Sequence, residues 1–69
     1  MREYTVREFI DIITNEGWVH DHHSSNHYVY SKSGFPNKLT VNFHNRTMNP
    51  CIAKRLLKEA KINLWVNHF

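Results

Sequence analysis

The sequence predicts an α+β domain in which two helices cover one face of a three-stranded antiparallel sheet. Two amphipathic helical patterns stand towards the ends of the chain, and three short strand-like segments lie between them. The order is therefore helix, strand, strand, strand, helix, a two-layer arrangement in which the helices bury one sheet face. The other face is open and polar, so function is expected there. With 69 residues, the chain 1–69 is expected to form a single domain.

The first helix is marked by signals at both of its ends. Thr5 and Glu8 stand three residues apart, as in a capping box. Gly17 supplies the left-handed residue that ends a helix of about 10–12 residues. The apolar residues between them recur at helical spacing: Val6, Phe9, Ile10 and Ile13.

Three strands are expected between the helices. Segment 18–23 is short and polar, like an edge strand, and segment 27–31 is rich in Tyr and Val. Segment 38–44 alternates, and a turn around Pro36 precedes it. The side chains expected on the buried face are Tyr28, Tyr30, Leu39, Val41 and Phe43. Those expected on the open face are His27, Thr40, Asn42 and His44, since His27 would pair with Asn42 or His44.

The second helix begins with Asn49 as N-cap and Pro50 in its first turn. Its apolar stripe consists of Ala53, Leu56, Leu57 and Ala60. Three lysines recur at spacings of four and three and are expected to share another face: Lys54, Lys58 and Lys61. The tail 62–69 is apolar and aromatic, and the sequence does not decide its structure.

Composition limits the compartment and the partners. A single cysteine, Cys51, excludes an intrachain disulfide and a cysteine-based zinc site, and it fits a reduced, cytoplasmic setting. The chain has no apolar run of the kind found in signal peptides or membrane spans, so no membrane partner is expected. Nine basic residues oppose six acidic ones, and after Asp21 the only acidic residue is Glu59. This imbalance favours a polyanion such as RNA, although a solvated surface is the alternative.

Histidine is frequent, and four of the six copies fall within residues 20–27. His20 and His22 would share a strand face and could bind a metal. No cysteine or pair of carboxylates completes such a site, and Asp21 is expected to point the other way. We therefore expect neither a metal nor another cofactor, and several of these histidines may simply be polar surface residues.

His27, at the start of the middle strand, is the first candidate for a catalyst. RNA is cleaved without metal when a base takes the proton of a 2′-OH, which then attacks the adjacent phosphorus. Free histidine has a pKa of about 6.5, which suits such a transfer at neutral pH. A cation must offset the charge on the phosphoryl oxygens. The candidates for that role are Lys32, Lys38, Arg46 and protonated His22.

An ordered set of motifs resembles the HicA family of type II toxins. It consists of Gly17-Trp18, His27-Tyr28-Val29-Tyr30, residues 39–44 and residues 56–62. The family pattern is Gly-Phe, then Gly-Ser-His with a hydrophobic strand, then Val-Pro-x-His, then Leu-(Lys/Arg)-x-Ala-Gly-Ile. This chain departs from the pattern at three places. Ser25-Asn26 replaces Gly-Ser, His22 stands where Arg or Lys is frequent, and Lys61 replaces the glycine.

The resemblance implies a fold like that of double-stranded-RNA-binding domains and metal-independent cleavage of mRNA, with His27 as general acid or base. It also implies a HicB-like antitoxin that covers His27. Residues expected to support catalysis are Asn26, Asn42 and His44. Residues expected to bind RNA are His22, Lys32, Lys38, Arg46, Lys54, Lys58 and Lys61. The alternative is a non-catalytic RNA-binding module of the same fold.

Overall fold

The computed structural model describes residues 3–62. Its elements follow the predicted order: α1 (Val6–Asn15), β1 (Val19–His23), β2 (His27–Ser31), β3 (Leu39–Asn42) and α2 (Pro50–Glu59). The strands form one antiparallel sheet in the order β1-β2-β3, so β2 is central. The predicted α+β class is confirmed. The apolar tail beyond Ile62, including Trp65, lies outside the described residues.

The caps of α1 form as predicted. The Thr5 hydroxyl accepts the Glu8 N–H at 3.1 Å, and the Glu8 carboxylate accepts the Thr5 N–H at 3.0 Å. At the other end, Gly17 has a φ of +100°, which places its backbone in the left-handed region. The Trp18 N–H then donates to the Ile13 carbonyl at 3.1 Å, which closes the helix.

The second helix begins as predicted and ends one turn earlier than the three-lysine stripe requires. The Asn49 side chain accepts the Cys51 N–H at 2.8 Å, with Pro50 in the first turn. After Glu59 the chain leaves the helix, and Lys61 has a φ of +59°.

Lys61 therefore occupies the same position after α2 that Gly17 occupies after α1. The Ile62 N–H donates to the Leu57 carbonyl at 2.8 Å, as in other helix ends of this kind. Lys54 and Lys58 lie on the exposed surface of α2, but Lys61 lies beyond the helix. The predicted common helical face of the three lysines is thus reduced to two.

Pairing of β2 with β3 decides which side chains share a face. His27 is opposite Asn42, and Tyr30 is opposite Leu39, so one of the two predicted registers is confirmed. The third strand ends at Asn42 rather than at His44. The reason is local, because the Asn42 side-chain oxygen accepts the His44 N–H at 2.8 Å and turns the chain away from the sheet.

Pairing of β1 with β2 contains a bulge at Asp21. His20 is opposite Tyr30, whereas His22 is opposite Val29, so one residue of β1 is left without a partner. A shift of one residue exchanges the two faces of a strand. The predicted common face of His20 and His22 is therefore wrong.

The core lies between the sheet and the two helices. The sheet contributes Tyr30, Leu39 and Val41, and Trp18 is also buried. The helices contribute Val6, Phe9, Ile13, Ala53, Leu56 and Leu57. Tyr28 and Phe43 pack against this core while half-buried, as predicted. Both helices therefore cover the same sheet face. Within residues 3–62, neither helix has the length and apolar character needed to cross a membrane.

Candidate active site on the open face of the sheet

The open face is the surface of the sheet turned away from both helices. Directly opposed residues of paired strands share a face, as do alternate residues within one strand. The strand residues placed on the open face by the observed register are His22, His27, Val29, Thr40 and Asn42. Two imidazoles, an amide and a hydroxyl thus meet there, with His22 in the place that the sequence had suggested for His44.

His27 lies at one end of the central strand and is half-buried. Its backbone is held from both sides, because its carbonyl accepts the Ser24 N–H at 2.9 Å and its Cα is paired with that of Asn42. Within residues 3–62, no hydrogen bond or ion pair involves the His27 imidazole. Both ring nitrogens are therefore available to a ligand on a backbone that is fixed in position.

Two turns meet beside His27 and carry the other predicted supporting residues. The Phe43 N–H donates to the Asn26 carbonyl at 3.0 Å, which ties the turn before β2 to the end of β3. Asn26 and His44 are exposed in these turns. The Asn42 side-chain oxygen is occupied by the His44 N–H, so its amide nitrogen is the group left to donate towards the open face.

An ion pair that the sequence did not predict crosses the central strand. The Lys38 ammonium lies 2.5 Å from one carboxylate oxygen of Asp21, and His22 Nδ1 lies 3.6 Å from the other. Asp21 belongs to β1 and Lys38 precedes β3, so the pair must span β2. All three side chains are accessible to solvent, which places the group on the open face rather than in the core.

The charge on Asp21 is stabilised by this contact. A hydrogen bond from Lys38 is the main cause that holds the pKa of the Asp21 carboxyl below its usual value, and His22 contributes less. Asp21 thus remains ionised and keeps one cation, Lys38, on the same face as His27. The sequence carried no signal for this arrangement, because Asp21 faces Lys38 only as a result of the bulge.

The structure does not bring the other predicted cations to the open face. The Lys32 ammonium lies 5.4 Å from the centre of the Phe35 ring, and its side chain packs over Gly17. Arg46 lies beside the start of α1, where its carbonyl accepts the Val6 N–H at 2.9 Å. Lys54 and Lys58 are on α2, which covers the opposite face of the sheet. Lys38 and His22 are therefore the cations nearest to His27 along this face.

The remaining histidines of the cluster face the helix side of the sheet. The His20 ring lies 5.5 Å from that of His23 and 5.6 Å from that of Tyr30, and His23 also contacts Tyr28. Among residues 3–62, no group of three or more His, Cys, Asp or Glu side chains is arranged to hold a metal ion. Cys51 is an exposed thiol at the start of α2.

Comparison with known proteins identifies the family. The family model described as the HicA toxin of bacterial toxin–antitoxin systems matches residues 6–62, which include all five elements and the open face. No curated protein matches the chain, and no solved structure does either. The family predicted from the motifs is thus confirmed over well more than half of the sequence: the chain belongs to the HicA toxins of bacterial toxin–antitoxin systems.

Proposed function

We propose that this toxin is an endoribonuclease that cleaves mRNA without a metal ion, with His27 as general acid or base. The observation that carries the proposal is the His27 imidazole, which has no hydrogen-bond partner within residues 3–62 and stands on an open polar face of a HicA chain. A binding module has no need of an imidazole at this position. A proton-transfer catalyst requires one with free ring nitrogens.

The chemistry is a transfer of the phosphoryl group within the RNA strand. A base removes the proton of a 2′-OH, the 2′-oxygen forms a bond to the adjacent phosphorus, and the bond from phosphorus to the 5′-oxygen breaks. An acid supplies a proton to the departing 5′-oxygen. The products are a 2′,3′-cyclic phosphate and a 5′-hydroxyl. His27 can perform either proton transfer, and His22, its diagonal neighbour on β1, is the second imidazole on this face.

Charge develops on the phosphoryl oxygens during this reaction and must be stabilised. Lys38 supplies a full positive charge, and the Asn42 amide nitrogen supplies a neutral donor. Asp21 restricts the Lys38 side chain before substrate arrives, so less conformational freedom is lost when a phosphate binds. His22 adds a second positive charge when it is protonated.

The test is expression of the chain alone, followed by assay of the purified protein on RNA. We expect growth arrest, and we expect His27→Ala to abolish both the arrest and the cleavage while circular dichroism stays unchanged. His23→Ala is the matched control, since it removes an imidazole from the other side of the sheet. Cleavage should persist in EDTA. A folded His27→Ala protein that is still toxic would refute the catalytic role, and binding without cleavage by the unmodified chain would indicate an RNA-binding module.

We also propose that a HicB-like antitoxin neutralises the toxin by covering the open face around His27, Asn42 and His44. Direct coverage excludes RNA and stops proton transfer together, whereas control from the helix side needs a second global state. Hydrogen exchange with and without the antitoxin tests this. We expect protection of residues 27–31, and protection restricted to the two helices would contradict direct coverage.

A further inference from the structure

A groove lies on the helix side of the sheet, behind the end that carries His27. It has a volume of about 390 Å³ and runs between the first turns of α1 and the end of β3. The residues of the groove used below are Arg7, Ile10, Tyr28, Phe43, Asn45 and Arg46. The proposed cleavage reaction uses none of them.

The floor of the groove is aromatic. The Tyr28 and Phe43 rings have their centres 4.3 Å apart and are tilted by 31°. Both side chains are only half-buried, so ring surface remains open to the groove. Ile10, also half-buried, extends this apolar surface along α1. A flat unsaturated ring is the kind of ligand that such a surface accepts.

The rim of the groove is cationic. Arg7 and Arg46 are both exposed, and within residues 3–62 neither guanidinium forms an ion pair. No acidic side chain of the described residues lines the groove. The neighbouring Glu8 carboxylate is engaged by the Thr5 N–H at 3.0 Å. A guanidinium pair beside an aromatic floor complements a ligand that joins a flat base to a phosphate.

The groove and the open face meet at the same end of the sheet. Tyr28 directly follows His27, and Phe43 directly follows Asn42, so the side chains within each pair project to opposite faces. β3 is an edge strand and ends at Asn42. A single strand of RNA can therefore pass around the end of β3, with one nucleotide at His27 and another in the groove.

We propose that this groove is a base-binding subsite for single-stranded RNA, which holds a nucleotide flanking the cleaved bond. The base stacks on Phe43 and Tyr28, its phosphate contacts Arg7 and Arg46, and the Asn45 amide is placed to reach a base edge. The subsite thereby contributes to the choice of cleavage position. This inference rests on the proposed ribonuclease function, whereas an acidic segment of an antitoxin is the competing occupant.

Binding is measured by fluorescence anisotropy in the His27→Ala background, with short oligo(A) and oligo(U) RNAs as probes. Phe43→Leu keeps an apolar side chain but removes the stacking ring, and we expect it to weaken binding by at least about fivefold. Phe43→Trp should restore the affinity. Arg46→Gln should lower the slope of log affinity against log salt by about 0.7, the value for one phosphate contact on a single strand.

The matched control for charge is Arg55→Gln, because Arg55 lies on α2 and pairs with Glu59 at 3.6 Å. It removes the same charge far from the groove and should leave the slope nearly unchanged. Thermal melting of each variant separates loss of binding from loss of fold.

Mapping of cleavage positions with intact His27 distinguishes failure of the subsite from failure of the proposed function. We expect Phe43→Leu to redistribute the cleavage positions on a mixed-sequence RNA. If the unmodified chain cleaves RNA while Phe43→Leu and Arg46→Gln change neither affinity, slope nor cleavage positions, the subsite is refuted and the ribonuclease stands. If cleavage is absent, the ribonuclease fails and the binding data alone decide the subsite. Unchanged RNA binding with weaker binding of a HicB-like antitoxin would assign the groove to protein docking.

Discussion

Replacement of Lys61 by glycine should stabilise the fold. Lys61 closes α2 with a φ of +59°, and the Ile62 N–H reaches the Leu57 carbonyl only if this conformation is kept. A left-handed conformation costs a residue with a side chain about 1–2 kcal/mol, and glycine avoids this cost but loses about 0.5–1 kcal/mol more entropy on folding. The net gain is about 0.5–1 kcal/mol, or a rise in Tm of roughly 2–8 °C for a domain of this size.

Lys61→Ala is the control for this experiment. Both variants lose the same charge, but alanine keeps the Cβ atom that disfavours a positive φ. Urea denaturation followed by circular dichroism should therefore place Lys61→Gly above both Lys61→Ala and the unmodified chain. Equal stability of the glycine and alanine variants would show that the positive φ at residue 61 carries no cost. The reasoning from backbone conformation would then be wrong.

Three further predictions concern the core and the charged surfaces. Ile13→Ala should lower the free energy of unfolding by about 2–5 kcal/mol because Ile13 is fully buried, whereas Ile52→Ala, at an exposed site on α2, should change it by less than about 0.5 kcal/mol; similar losses would contradict the assigned core. Asp21 should titrate below 3.8 in carboxyl NMR, so its pair with Lys38 persists above that pH and is lost only as the pH falls through the lowered pKa. In Lys38→Gln the midpoint should rise towards 3.8, and an unchanged midpoint would exclude Lys38 as the cause. Lys54→Gln with Lys58→Gln should lower the salt slope of RNA binding by up to about 0.7 per lost contact, and an unchanged slope would mean that this part of α2 is only a solvated surface.

The parts of the fold that could be predicted are those whose causes are local in the sequence. The capping box of Thr5 and Glu8, the N-cap at Asn49 and the glycine at residue 17 each act within one helical turn. Alternation along β3 likewise marks Leu39 and Val41 as buried. The position of His27 opposite one of two partners followed from this alternation, and pairing with Asn42 selected the first of them.

The parts that could not be predicted depend on pairing between distant segments. Nothing within Val19–His23 marks a bulge, because its position is decided by how β1 matches β2. The faces of His20 and His22, and the contact of Asp21 with Lys38, all follow from it. The direction of Lys32 was hidden for a similar reason, since the Phe35 ring that it covers is positioned by the turn before β3.

The bulge at Asp21 also has a consequence for how copies of the chain meet. β1 is an edge strand whose five residues are all exposed, and such an edge is a template on which another strand can add. An extra residue breaks the even spacing of backbone donors and acceptors and increases the local twist, and a carboxylate stands at that same position. The surface most open to edge-to-edge aggregation is thereby kept irregular. Deletion of Asp21 would restore an even edge, and the toxin would then be expected to aggregate through its own sheet.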